Sequence, residues 1–204
     1  MRTAMLALLL GAALPALADE GMWTFDNFPA AAVKAKYGAT LDSAWLDRVR
    51  RSTIRLSNCT ASFVSPEGLI LTNHHCVEAC LANLSSRDAS LVQTGFVSRN
   101  RNDEPRCATQ VADVLQAMEN VTDQVTKAIA GLDQTAANDA RKKALTQLEQ
   151  ACEKSTRLKC ESVTLYQGGQ YFLYKYKRYD DVRLVLAPEA DIAAFGGDPD
   201  NFQF

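Results

Sequence analysis

Cys59-Thr-Ala-Ser-Phe-Val-Ser-Pro-Glu-Gly-Leu-Ile-Leu-Thr-Asn-His-His75-Cys76 decides the reading of this chain. Thr60 to Val64 and Leu69 to Thr72 read as strands. Between them Ser65-Pro66-Glu67-Gly68 is a turn signal, with Pro second and Gly fourth. Ser52 to Leu56 reads as a further strand just upstream. The local order is therefore strand, turn, strand, then a loop of two histidines and a cysteine. His74 and His75 are the only two histidines in the sequence.

Working outward, the chain has 204 residues, 47% hydrophobic and 23% charged, with a formal net charge of -2. Those are ordinary globular values, and no basic patch or long like-charge run points to nucleic acid. Met1 to Ala18 reads as a secretory signal peptide. Arg2 gives the positive start, Met5 to Leu14 the apolar core, and Ala16-Leu17-Ala18 the small-residue cleavage site. A membrane anchor fits less well, because the apolar run is short and ends in Pro15. The expected location is outside the cytoplasm, periplasmic or secreted, with no membrane contact after cleavage.

Export makes disulfides the default state of the six cysteines, Cys59, Cys76, Cys80, Cys107, Cys152 and Cys160. Six cysteines allow about 15 pairings. Proximity favours Cys59–Cys76 and Cys152–Cys160, which leaves Cys80–Cys107. The competing reading is a metal site from His74, His75, Cys76 and Cys80. Adjacent His-His-Cys is poor geometry for one ion, and no paired C-x-x-C knuckle occurs, so no metal or other cofactor is expected.

Along the chain, Asp19 to Phe28 reads as an irregular entry segment, with Met22, Trp23 and Phe25 tucked into the fold. Leu41 to Val49 has helical character, opened by Leu41-Asp42-Ser43. Pro105 to Thr109 is a loop. Val111, Val114, Leu115 and Met118 fit a short helix or a strand. Val121 to Cys152 is helical, broken at Gly131-Leu132-Asp133. Val163 to Tyr166, Tyr171 to Tyr176 and Val182 to Leu186 return to strand character, with a turn at Gly168-Gly169. The order of strands, helical block and strands predicts a mainly β fold with a helical insert. The expected divisions are 1–18 (signal peptide), 19–120 (first β-barrel strands and the histidine loop), 121–160 (helical insert) and 161–204 (returning strands and a substrate-binding loop). The chain stops inside the Gly- and Asp-rich stretch 195–204, which reads as a truncation.

The chemistry suggested by the histidine loop is nucleophilic hydrolysis. A chymotrypsin-type site needs a nucleophile, a histidine base held rigidly at the end of a strand, and an acid that orients the base. His75 is the better base. A Cys59–Cys76 bond would pin it, whereas strand alternation sends His74 to the other side. The plainer alternative is a structural pair of buried histidines. No nucleophile is evident: no G-x-S-x-G, Gly-Asn-Ser-Gly or Gly-Asp-Ser-Gly occurs in the sequence.

Gly21-Met22-Trp23, Cys59-Thr-Ala-Ser-Phe-Val-Ser-Pro66, Gly68-Leu-Ile-Leu-Thr-Asn-His-His-Cys76 and Phe195-Gly-Gly-Asp-Pro-Asp-Asn-Phe202 resemble the bacterial dipeptidyl-peptidase 7 and dipeptidyl-peptidase 11 family of exported serine exopeptidases. The resemblance runs from the mature N-terminus to the last residue. It implies part of a chymotrypsin-like double β-barrel plus the start of an inserted α-helical domain, within a longer protein. It implies a Ser-His-Asp triad that releases dipeptides from peptides with a free N-terminus, with His75 as the base. Asn201 and Phe202 would help hold the substrate's α-amino group, although the family has Trp where this chain has Phe202. The triad Asp and Ser are expected beyond Phe204, so the 204-residue chain alone is expected to be inactive. A homodimer of the longer protein stays open. The alternatives are a trypsin-like endopeptidase, against which the helical block argues, and an inactive periplasmic peptide-binding relative.

Overall fold

The computed structural model describes residues 23–193. The proposed leader at 1–18, Gly21-Met22, and the tail with Asn201 and Phe202 lie outside the described residues. Helix α1 (Ala30–Tyr37) ends at Gly38, whose left-handed φ of 69° closes the last turn. Helix α2 (Ser43–Ser52) opens on Asp42, whose carboxylate accepts the Trp45 amide at 2.7 Å. Strands β1 (Thr53–Leu56), β2 (Thr60–Phe63) and β3 (Ile70–Leu71) follow. Next come a single 3₁₀ turn at His74–Cys76, helices α3 (Glu78–Leu84) and α4 (Leu91–Thr94), and the short strand β4 (Phe96–Val97). Strand β5 (Ala112–Asn120) leads into α5 (Thr122–Ile129) and α6 (Gln134–Thr156). The chain then runs through β6 (Lys159–Leu165), β7 (Gln170–Tyr179), β8 (Leu186–Ala187) and α7 (Ala190–Ala193).

Six strands form one antiparallel sheet in the order β3-β2-β1-β5-β7-β6, and β4 pairs with β8 separately. The expected mainly β fold, part of a double β-barrel, is overturned. Helix accounts for 43% of the described residues and strand for 25%, so the fold is mixed α and β. The sheet is also open: β3 and β6 stand at its two edges and do not pair with each other. The physical reason is that short apolar runs leave helix and strand undecided by periodicity. Here α3 and α4, not read as helix from the sequence, take up chain between β3 and β4, and α1, likewise not read as helix, precedes β1.

Pleat alternation gives the sheet two different faces. On one face Ile54, Leu56, Ala61, Ala112 and Val114 form a buried cluster with Cys76. On the other, Arg55, Asp113 and Arg178 stand opposite one another across β1, β5 and β7. A bulge in β5 between Leu115 and Ala117 shifts this register, and the nearly buried Arg50 of α2 donates to the freed Leu115 carbonyl at 2.5 Å. Further along, Val121, Val125, Cys152, Cys160, Tyr171 and Leu173 are buried together, so α5 and α6 pack onto the β6–β7 end of the sheet.

The helical reading of 121–152 holds, including its break. Gly131 takes a left-handed φ of 74°, and Asp133 restarts the chain as α6 by accepting the Thr135 and Ala136 amides. The undecided stretch around Val114 is strand β5. Two smaller expectations fail. Trp23 is 51% exposed rather than tucked in. Of Val182 to Leu186, only Leu186 is in a strand, and Arg183 makes a single bridge to Arg106. That segment lies against the short loop at Pro105–Cys107, which supplies too few partners for a ladder.

Candidate active site

The histidine loop is built by the hairpin in front of it and by two disulfides. Ser62 and Phe63 of β2 pair with Leu71 and Ile70 of β3, as the Ser65–Gly68 turn demands. Gly68 has a φ of 92°, so the fourth turn position needs glycine. The Ser65 hydroxyl accepts the Glu67 and Leu69 amides and closes the turn. Two residues after β3 the backbone curls into the 3₁₀ turn, with the Cys76 and Val77 amides bonding back to Asn73 and His74.

Cys59 and Cys76 are bridged, with Cα atoms 5.9 Å apart, inside the span a disulfide can reach. Cys80–Cys107 ties α3 to the loop before β5, and Cys152–Cys160 ties α6 to β6. Cys76 is 2% exposed and belongs to the sheet's core cluster. The residue before it, His75, is therefore carried at the margin of that core, half-buried. Its Nε2 lies 3.2 Å from Cys59 Sγ and 3.5 Å from Cys76 Sγ. With all six cysteines in bridges, the metal set imagined from His74, His75, Cys76 and Cys80 has no thiolate to offer.

His74 has different surroundings. Its Nε2 is 3.2 Å from the Pro188 carbonyl oxygen, and its Nδ1 is 3.7 Å from Glu78 Oε1. Its side chain is only 8% exposed and braces the loop against the segment after β8. The two rings do face different partners, but not through strand alternation. Residues 74–76 form a 3₁₀ turn, which rotates successive side chains by about 120° rather than 180°.

Two features of the surroundings carry no sequence signal. Gln110, 4% exposed, donates from Nε2 to the Cys76 carbonyl at 2.8 Å and reaches Asn58 Oδ1 at 3.3 Å. One side chain thus holds the stretches that carry both cysteines of the bridge. The second is the charged cluster on the opposite sheet face. Arg178 donates to both oxygens of Asp113 at 2.8 Å, and Arg55 donates to Asp113 at 2.9 Å and to Glu161 at 2.6 and 2.8 Å. The Arg55 guanidinium also lies 4.3 Å from the centre of the Tyr176 ring. Burial works against the charge on Asp113, but the hydrogen bonds from Arg178 and Arg55 outweigh it and hold the carboxyl below its ordinary range. Asp113 is saturated by arginines and faces away from the core that holds Cys76, so it does not orient His75.

His75 is thus half-buried beside the bridge that joins its loop to the start of β2. The chain belongs to the peptidase S46 family, whose model matches residues 18–204. An Asp/Glu-specific dipeptidyl-peptidase of Shewanella putrefaciens is 30% identical over 100% of this chain and 29% of its own length. A dipeptidyl-peptidase 7 of Porphyromonas gingivalis is 31% identical over 97% of this chain and 29% of its own. Among solved structures, Porphyromonas endodontalis DPP11 in complex with the dipeptide Arg-Glu matches with a TM-score of 0.74 and 25% identity. That match covers 90% of this chain and 28% of the other. The chain thus spans under a third of the length of the relatives it matches. Among the described residues, no helix is long and apolar enough to cross a membrane.

Proposed function

We propose that this chain is the base-bearing part of an exported serine-type dipeptidyl-peptidase, with His75 as general base. The observation that carries the reading is the placement of His75. Its ring is held against the Cys59–Cys76 bridge, one residue from a cysteine locked in the core. A triad histidine takes the serine proton as the nucleophile attacks, then returns it to the leaving amine. Both transfers need a ring whose position does not wander, because misplacement by about 1 Å can cost roughly 100-fold in rate.

The substrate is a peptide with a free N-terminus, and Asn201 and Phe202 are the residues that would hold its ammonium group. An amide side-chain carbonyl is a suitable acceptor for that group. The names of the relatives, dipeptidyl-peptidase 7 and Asp/Glu-specific dipeptidyl-peptidase, support the dipeptide-releasing class. The complex of DPP11 with a dipeptide supports peptide binding.

The test is turnover of a chromogenic dipeptidyl substrate by the protein extended to the length of its relatives, beside the 204-residue chain. The extended protein is expected to cleave it, to be blocked by a serine-directed inhibitor and to refuse the N-acylated substrate. Asn201→Ala is expected to weaken kcat/KM on the free-amine substrate by about 1.5–3 kcal/mol, the range for a hydrogen bond to a charged group. The 204-residue chain is expected to do nothing. Inhibitor-sensitive turnover by the short chain, or equal use of free and blocked substrates by the long one, sinks the reading. Peptide binding without turnover would favour an inactive relative.

A further inference from the structure

We infer that the cavity beside the Tyr166–Gly168 turn is a binding site for the guanidinium of an arginine side chain on a peptide. The cavity has a volume of about 260 Å³ and is walled by Asp26, Asn27, Asn120, Tyr166, Gln170 and Phe172. It lies at the β5–β7 end of the sheet, away from the histidine loop, which follows the β3 edge. It has room for one side chain and falls below the roughly 300–1,000 Å³ of sites built for a whole small molecule.

The walls come from three separate parts of the chain. Strands β5 and β7 place Asn120 directly across from Phe172, which is 6% exposed and forms an apolar floor. Phe172 meets Tyr174 edge to face, with ring centres 6.4 Å apart, so the floor is fixed. A turn closed by the Asn27 amide on the Thr24 carbonyl, at 3.0 Å, brings Asp26 to the wall. The third part is the strained turn before β7. Tyr166 and Gln167 are successive non-glycine residues with left-handed φ of 51° and 56°. L side chains rarely take that conformation, least of all two in a row. The Gly169 amide holds the turn by donating to the Tyr166 carbonyl at 3.0 Å, and a Cβ on Gly169 would come within 3.2 Å of that same oxygen. The result is a Tyr166 ring that stays 59% exposed at the cavity wall.

Asp26 is the only charged group on the wall, and among the described residues it has no hydrogen-bond or ion-pair partner. Its charge is felt inside the protein: after burial, it is the next cause that pushes the Tyr174 phenol up. An uncompensated carboxylate beside an aromatic ring matches a guanidinium, which takes a carboxylate in a two-pronged hydrogen bond and stacks flat on a ring. The side-chain carbonyls of Asn27 and Gln170 can accept its remaining N–H groups, and Phe172 can cover the methylene stem. A bare metal ion fits less well, because one carboxylate is too few for a calcium shell of about six to eight oxygens.

The test is a titration of the chain with N-acetyl-L-argininamide, followed by amide chemical shifts in ¹H–¹⁵N spectra. The acetyl cap removes the α-amino group, so the proposed ammonium contact at Asn201 takes no part, and failure here is distinguishable from failure of the peptidase reading. Expected are saturable shifts at residues 24–27, 120 and 166–170, weakened by added salt. N-acetyl-L-citrullinamide, the uncharged analogue of similar shape, should not bind. N-acetyl-L-lysinamide should bind more weakly, since an ammonium neither stacks nor forks. Asp26→Asn should weaken binding about 10-fold, the scale of a lost hydrogen bond to a charged group. Tyr166→Ala should weaken it about 2- to 5-fold, the scale of an exposed cation–π contact. The inference is overturned by no saturable shift, by citrulline binding as well as arginine, by lysine binding as tightly, or by unchanged affinity in Asp26→Asn. The ligand comparisons are read on the unaltered chain, so a variant that fails to fold does not block the test.

Discussion

His75 Nε2 touches Cys59 Sγ at 3.2 Å, across 16 residues of sequence and from the far side of a β-hairpin. The contact exists because Cys76 is buried in the sheet's core while its bridge partner sits at the start of the neighbouring strand. A covalent link one residue away holds the half-buried ring at the margin of that core.

Removing that link should loosen the ring and the fold together. Cys59→Ala/Cys76→Ala opens a loop of 17 residues, so the chain should lose about 3 kcal/mol of stability. Urea denaturation monitored by circular dichroism checks this. A midpoint equal to that of the parent would mean that the bridge does not constrain the unfolded chain.

The two histidines should separate by kinetics. In the active full-length form, His75→Ala should lower kcat by roughly 10⁴- to 10⁶-fold, as loss of a triad base does. His74→Ala removes a contact to the Pro188 carbonyl and should act mainly on stability, by about 1 kcal/mol. Reversed effects in steady-state assays would move the base to His74.

Gln110 should matter although it carries no chemistry. Gln110→Ala leaves the Cys76 carbonyl buried without its donor, which should destabilise by about 1–3 kcal/mol. The amides of Val77 and Leu81, which follow the turn, should exchange faster with solvent. Unchanged exchange at those amides would show that the loop holds itself.

Acid should attack the other face of the sheet. Asp113 has its folded pKa depressed by Arg178 and Arg55, so its contribution is present above the unfolded value of about 3.9 and is lost as pH falls below it. Glu161, lowered by its hydrogen bonds from Arg55, adds to the same window. Asp113→Asn should cost about 2–3 kcal/mol at pH 7, less than a fully buried pair, because Arg55 and Arg178 are 42% and 35% exposed. The stability curves of parent and variant should draw together as pH falls below the unfolded value of about 3.9 and through the depressed folded value. Parallel curves from pH 7 to pH 3 would show that Asp113 is not the group lost to acid.

The sequence by itself determined the local pieces. The Ser65-Pro66-Glu67-Gly68 turn, the β2–β3 hairpin, the histidine loop, the Asp42 start of α2 and the break at Gly131 were legible, because each depends on neighbours in the chain. The nearness of Cys59 to Cys76 and of Cys152 to Cys160 was legible for the same reason. Tertiary structure decided the rest. Whether the strands close into a barrel depends on how β3 and β6 stand at opposite ends of one sheet, a long-range outcome that no window of residues contains. The 3₁₀ curl at 74–76, and not the strand alternation expected to part the two histidines, set the directions of their rings, with Cys76 in the core and α3 beginning two residues later. Gln110 and the Arg55–Asp113–Arg178 ladder looked like ordinary polar residues. Only the pairing of β1, β5 and β7 brought those charges into line, and only burial beside Cys76 gave Gln110 its role.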